Sequence, residues 1–220
     1  IGSLISGGVW TKLDAFYMLA AADSQAARQN WIADQYNLTA VSSPTFTADR
    51  GYAGDGAASY LDTNFTPSAA VHLLQDDASI FGWARAAMTA RHGAGDNGAR
   101  DLQLRSDGAT NLRNIVNAAI NAAGDVTIPS NTGYLGNDRR DGTTVHAFSA
   151  GVNRGSVAIA SVGRPVVPLY IGAKNVQGTG PVNFNSVQMA AFGAGAALGD
   201  AGHLALYNAL NTYLTAVGAA

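Results

Sequence analysis

The stretch SPTFTADRGYAGDGAASYLDTNFTPS, residues 43–68, decides how the chain reads. Two aromatic-bearing strand candidates, residues 45–47 and 59–62, flank a turn-rich linker. In that linker Gly51, Gly54, Asp55 and Gly56 offer the positive φ values that tight turns need. Pro67 stops the second strand, because it has no N–H to give to a ladder. On geometry alone the stretch is a piece of β-meander.

Downstream the same grammar repeats. Residues 80–88 alternate, with Ile80, Gly82, Ala84, Ala86 and Met88 on one face and Phe81, Trp83, Arg85 and Ala87 on the other. That suits a sandwich strand with one packed side and one solvated or functional side. Residues 93–98 read as a hairpin loop around Asn97-Gly98. Residues 100–105 point Leu102 and Leu104 inward, and Asp101, Gln103 and Arg105 outward. Residues 111–123 fit a helix through Leu112, Ile115, Val116, Ala119 and Ile120, but their hairpin neighbours favour a strand, which is the expectation here. Candidate strands 133–137, 143–149, 154–161 and 168–174 follow, punctuated by Asp141-Gly142, Asn153-Arg154-Gly155 and Gly163-Arg164-Pro165. Turn signals at that rhythm mark a sandwich. Residues 184–194 make one more strand.

The N-terminal part is less regular. Residues 1–9 read as a leader or linker, and residues 10–22 as an apolar run whose periodicity fits helix or strand. Residues 24–28 resemble a helical turn and 29–32 a short strand. Residues 200–217 form the one clear helix: Asp200 can cap it, Gly218 can end it, and Leu206, Leu210, Tyr213 and Val217 make an apolar stripe. Beyond Asp200 it carries no charged side chain, so it is expected to lie against the sandwich or another chain.

Composition bounds the function. The chain of 220 residues fits one domain, residues 10–220, behind the leader. With 13% charged residues and a net charge of −2 it lacks the basic footprint of a nucleic-acid binder. No apolar run approaches the ~20 residues of a membrane span. There is no Cys, and no Glu: all 15 acidic residues are Asp, which favours turns over helix interiors. Asp76-Asp77 is the one adjacent carboxylate pair, and in a strand its members would face opposite ways. His72, His92, His146 and His203 are dispersed, without metal-ligand spacing. No metal or cofactor is therefore expected, with calcium the one ion that Asp49, Asp55, or Asp96 with Asn97, could serve from turns. Recognition by surface remains. Trp83 and Arg85, with Gln103 and Arg105 on another strand, offer an aromatic plate and planar polar groups to a sugar. His146, Tyr170 and Gln188 alternate similarly in their own strands. Trp83 reads equally as a core aromatic.

PTFTADRGYAGDG followed by SYLDTNFTPS resembles concanavalin A-like (laminin-G-like) sandwich domains of tailed-phage and prophage structural proteins. The resemblance extends through LYIGAKNVQGTGPVNFNSVQMAAFGAGAALGDAGHLALYNALNTYL, residues 169–214, and is loose over 89–140. It implies an all-β antiparallel sandwich of jelly-roll type with a C-terminal α-helix, and a strand-like or short mixed element at 10–22. It brings no catalytic motif. Glycan-cleaving relatives of this sandwich place a Glu-x-Asp-x-Glu arrangement along one strand, which a chain without Glu cannot supply. The expectation is a non-enzymatic module of a virion or virion-like particle, displayed at its surface, oligomeric within it, and contacting other particle proteins. It would bind bacterial surface polysaccharide for host attachment. A purely structural decoration or oligomerisation domain is the alternative, and a polysaccharide-degrading enzyme the third.

Overall fold

A computed structural model describes residues 2–122 and 124–220; Ile1 of the expected leader and Ala123 of the expected strand 111–123 lie outside them. Two sheets pack face to face, and a helix closes one of them. The covered sheet has eight strands. Its order runs Val152–Ala158, Thr144–Ser149, Gly133–Arg139, Ala78–Ala84, Met189–Gly195, Gly51–Ala53 and Thr45–Thr47. Leu13–Met18 lies alongside Met189–Gly195, from Leu13 opposite Gly195 to Met18 opposite Ala191. The open sheet has nine strands, in the order Gly124–Thr127, Asn111–Ala118, Asp101–Ser106, Arg91–Gly95, Tyr170–Ile171, Tyr60–Asp62 and Thr39–Val41. Lys174–Val176 joins Arg91–Gly95 in parallel and pairs in turn with Gly180–Val182. The other pairings are antiparallel.

The stretch 43–68 is where the chain changes sheets. Thr45–Thr47 and Gly51–Ala53 form a hairpin in the covered sheet, and Tyr60–Asp62 belongs to the open one. The expected linker thus contains a strand, and the two flanking strands do not pair in a meander. Gly51 makes this possible: its φ is +108°, and a Cβ there would stand 2.0 Å from the Met189 carbonyl. The Asp55 carboxylate organises the crossing by accepting the backbone N–H groups of Ala57, Ala58 and Ser59 at 2.8–2.9 Å. Those bonds hold its carboxyl well below the usual carboxylate range.

Two hydrophobic layers result. Between the sheets lie Ile80, Leu102, Leu104, Leu112, Val116, Leu135 and Phe192, with Tyr17. On the far side of the covered sheet, Phe16, Met18, Phe81, Trp83, Tyr134 and Phe148 meet Leu206, Leu210 and Leu214 of the helix Gly199–Ala216. A sheet buried on both faces explains why every residue of 13–18 is buried: Ala15 and Tyr17 serve one layer, Phe16 and Met18 the other, and the Asp14 carboxylate is satisfied by the N–H groups of Val71, His72 and Leu73.

Several expectations are corrected here. Gly2–Ser6, taken as leader, is a short helix with Leu4 buried in the helix-side layer. The tract 29–32 is not a strand; Asn30 is buried there and its side chain ties Phe16 N–H and the Gln35 carbonyl. Of the expected hairpin loop 93–98, residues 93–95 belong to the strand Arg91–Gly95, and the turn is confined to the residues after Gly95. The helix is not capped by its own Asp200. Asp138, from the strand Gly133–Arg139, accepts the N–H groups of Leu198 and Gly199 at 3.1 and 3.0 Å. Gly218, at φ +71°, ends the helix as expected. Among the described residues no helix is long and apolar enough to cross a membrane.

Candidate functional site

The sequence-nominated residues divide between two surfaces. Trp83 and His146 lie in strands of the covered sheet, Arg85 and Gln188 directly beside two of its strand ends, and three of the four are engaged inside the fold. Trp83 is buried and stacked on Tyr207 of the helix, with ring centroids 5.9 Å apart and planes at 6°. Its face is therefore the helix-covered one, not a solvated one. Arg85 donates through Nε to the Ala219 carbonyl at 2.9 Å and through Nη1 to Gln188 Oε1 at 2.6 Å, so the pair holds the chain just beyond the helix. His146, half-buried, lies opposite Asp138 and Ser156, with Asn153 Nδ2 3.5 Å from its Nδ1.

Under the helix sits a closed polar cluster. The Tyr134 hydroxyl meets His203 Nδ1 at 2.7 Å, and the His203 ring is stacked on Phe148. Asp138 accepts Arg140 Nε at 2.8 Å, and Arg140 also pairs with Asp200. Burial alone would raise the Asp138 carboxyl; His203 and Arg140 outweigh burial and hold it below the usual range. Arg140 is the partner in hydrogen-bond contact, since His203 Nε2 stands 3.9 Å away. A tyrosine, a histidine and an aspartate in series could in principle move a proton. Here all three are buried between the helix, which carries His203, and the sheet, which leaves a substrate no approach. Asp76 and Asp77 are likewise parted: Asp76 accepts the Ser161 hydroxyl and Asp77 the Ala197 N–H.

Gln103, Arg105 and Tyr170 come together on the outer face of the open sheet. Alternation fixes this: His92, Ala94, Leu102, Leu104, Leu112, Val116, Leu61 and Ile171 point inward, so Arg91, Asp101, Gln103, Arg105, Arg113, Tyr60 and Tyr170 point outward. Register places Tyr170 opposite Gly93, and Gly93 opposite Gln103. Tyr170 packs on the buried Tyr60 at 4.3 Å, and Phe184, half-buried, is 6.1 Å from Tyr60. Asp101, fully buried, pairs with Lys174 and accepts Gln103 Nε2 at 2.9 Å. Asp101 Oδ2 and Gln103 Oε1 are buried without partners, so the floor of the face carries acceptor capacity its own side chains do not use. Beside it is a shallow depression of about 220 Å³ lined by Asn97, Ile120, Lys174, Val182 and Asn183. An open trough of about 700 Å³ runs along Asn208, Thr212, Tyr213 and Ala216 of the helix beside Ser3; its lining carries no charged side chain.

Arg91, Arg113 and Asn183 were not among the nominated residues. Arg91 was readable from the alternation of Arg91, His92, Gly93 and Ala94, but two glycines made the segment look like a loop. Arg113 stood in the tract that fitted both helix and strand, so its face was undetermined. The calcium candidates lie in turns already closed by their own bonds. Asp55 caps three amides, Asp96 bonds the backbone and guanidinium of Arg100, and Asp49 and Asn97 supply left-handed backbone at φ +56° and +53°. Among the described residues no three His, Cys, Asp or Glu side chains gather to hold an ion.

No protein-family profile matches the chain, and no curated protein matches it in sequence. Solved structures do match in shape. Domain 4 of AbnA, a GH43 extracellular arabinanase from Geobacillus stearothermophilus, in complex with arabinotriose, aligns with a TM-score of 0.51 at 16% identity. The alignment covers 89% of this chain and 98% of that one. The binding domain of botulinum neurotoxin serotype D gives 0.55 at 10% identity, over 91% of this chain and 52% of that one. The binding domain of Paraclostridial Mosquitocidal Protein 1 gives 0.52 at 12%, over 91% and 52%. This chain thus spans about half of each toxin domain and nearly all of the arabinanase domain. At these identities the likeness is one of fold alone, that of an antiparallel β-sandwich.

Proposed function

We propose that the chain is a non-catalytic carbohydrate-binding module that uses the outer face of its open sheet. The observation that carries this reading is the gathering on one face of two part-exposed rings, Tyr170 and Phe184, backed by the buried Tyr60, with the planar polar groups of Arg105 and Asn183 above the buried Gln103. Aromatic rings give the apolar face of a sugar a surface to stack on, and amide and guanidinium groups meet its hydroxyls. The arabinanase domain with bound arabinotriose supports the reading by example of a sandwich of this shape. The engaged state of Asp76, Asp77 and the Tyr134–His203–Asp138 cluster favours binding without turnover.

The setting we propose rests on the sequence resemblance to phage structural domains: a particle-surface module, oligomeric within the particle and attached to other particle proteins, that adheres to bacterial surface polysaccharide. Glycan-array binding of the purified chain tests the activity. Tyr170→Ala should weaken binding to the best glycan by about tenfold, while polysaccharide incubated with the parent keeps its chain length. Unchanged binding in Tyr170→Ala would remove this face from the site, and shortening of the polymer would make the chain an enzyme.

A further inference from the structure

Arg91, Arg105 and Arg113 stand directly opposite one another on three neighbouring strands, and Asp125 stands opposite Arg113 on the fourth. Like charges at opposed positions destabilise a sheet, and strand spacing sets the Cα atoms only about 5 Å apart. The row is partly neutralised. Asp107 takes Arg105 Nε at 2.6 Å and Arg113 Nη1 at 3.2 Å, and Asp125 takes Arg113 Nη1 at 3.4 Å. Three guanidiniums thus share two carboxylates. The surplus falls on Arg91, whose side-chain partner is the neutral Asn183 Oδ1 at 3.3 Å. No Asp among the described residues lies within salt-bridge distance of it, and the nearby Asp101 is already taken by Lys174. Burial first, and the Arg105 guanidinium second, push Arg91 below its usual range, so its charge is held against its surroundings. Arg113 Nε is buried without a hydrogen-bond partner. A structural ladder would gain by replacing one of these arginines with a neutral residue; a binding site would not.

We propose that the row is an anion subsite, in which Arg91, with Arg105 beside it, takes the carboxylate or sulfate ester of an acidic glycan whose ring extends toward Tyr170. The inference rests on reading this face as glycan-binding. A guanidinium fork matches either anion with two parallel hydrogen bonds. Tyr170 lies one strand over from Gly93, two residues along from Arg91, so their Cα atoms are roughly 8 Å apart, a separation one sugar ring with its anionic substituent can bridge.

The test titrates the purified chain, at fixed ionic strength, with a uronic-acid polysaccharide, its carboxyl-reduced counterpart and a sulfated neutral polysaccharide. At least one anionic polymer should bind about tenfold tighter than the carboxyl-reduced one, and whichever does so identifies the substituent. The preference should weaken with added salt, vanish in Arg91→Gln and survive in part in Arg91→Lys, which keeps the charge but not the fork. Arg91→Gln should melt no lower than the parent, because it relieves repulsion; a clear loss of Tm would mark Arg91 as a structural residue and overturn the proposal. Equal binding of all three polymers, or a preference that persists in Arg91→Gln, would also overturn it while leaving the glycan reading intact. A parallel melting series in inorganic sulfate separates the two ideas. Stabilisation of the parent beyond that of Arg91→Gln, with no polymer bound, would keep the anion subsite and discard the glycan reading. No such difference and no bound polymer would discard both.

Discussion

The cluster under the helix and the row on the open sheet use the same side chains to opposite ends. In the closed cluster the charges answer one another: Asp138 takes two helix amides and Arg140, and Arg140 takes Asp200 as well. That set places an anion at a helix N-terminus, where the dipole favours it, and joins helix to sheet. On the open face three arginines stand in register with carboxylates for two. Charge that closes on itself builds the fold, and charge left over remains available to something outside it.

If the helix is part of the core, Leu210→Ala should cost about 2–5 kcal/mol, as truncations of buried leucines do. Denaturant midpoints measure it; a harmless substitution would make the helix a loose cover and dissolve the contrast between the two faces. The next effect in size is that of pH. Burial pushes the His92 imidazole down to about 4. Burial also lowers His203, against the opposing pull of Asp138. The unfolded chain takes up a proton on each as pH falls through about 6.5. The folded chain takes up none on His92 until pH nears 4, so stability present above about pH 6.5 is lost between 6.5 and 4. For His92 that loss is about 3 kcal/mol. Urea midpoints at pH 7 and pH 4.5 read it, and His92→Gln should flatten the dependence; an unchanged midpoint in the parent would mean that the imidazole is not shut away from water. The smallest effect sharpens the boundary of the core. Asn211→Ala, on the half-buried outer side of the helix, should change stability by less than about 0.5 kcal/mol. A larger loss would show that this side is packed against another chain.

Much of the fold was legible because its patterns are local. Residues 200–217 carried cap, stripe and terminating glycine, and the helix spans Gly199–Ala216. The alternation of Leu102 and Leu104 against Gln103 and Arg105 assigned both faces of that strand correctly. What failed was non-local. The sequence marks Trp83 as facing away from Ile80, and it does, but only the closing helix determines that this side is covered. The same applies to Asp138, which caps a helix sixty residues away in sequence. Gly51–Ala53 was invisible because its glycine reads as a turn, whereas its use is to let the chain pass close to Met189. For the site, Gln103, Arg105 and Tyr170 were legible as outward residues of separate strands. Their assembly into one face, and the alignment of Arg91 and Arg113 with them, depend on a register no single strand encodes.

The position of Met189–Gly195 sets the order in which the molecule can be made. This late strand is the middle of the covered sheet, paired on one side with Ala78–Ala84 and on the other with Leu13–Met18 and Gly51–Ala53. Until it leaves the ribosome, the first strand has no edge to join, and Phe16, Tyr17 and Met18 stay in contact with water or with a chaperone. Contacts of such long sequence separation slow folding to the millisecond-to-second range. A newly made chain therefore passes through a stage in which its N-terminal apolar run is exposed while most of the open sheet can already be paired. Crowding of nascent copies at that stage, more than the stability of the finished sandwich, would limit the yield of folded protein.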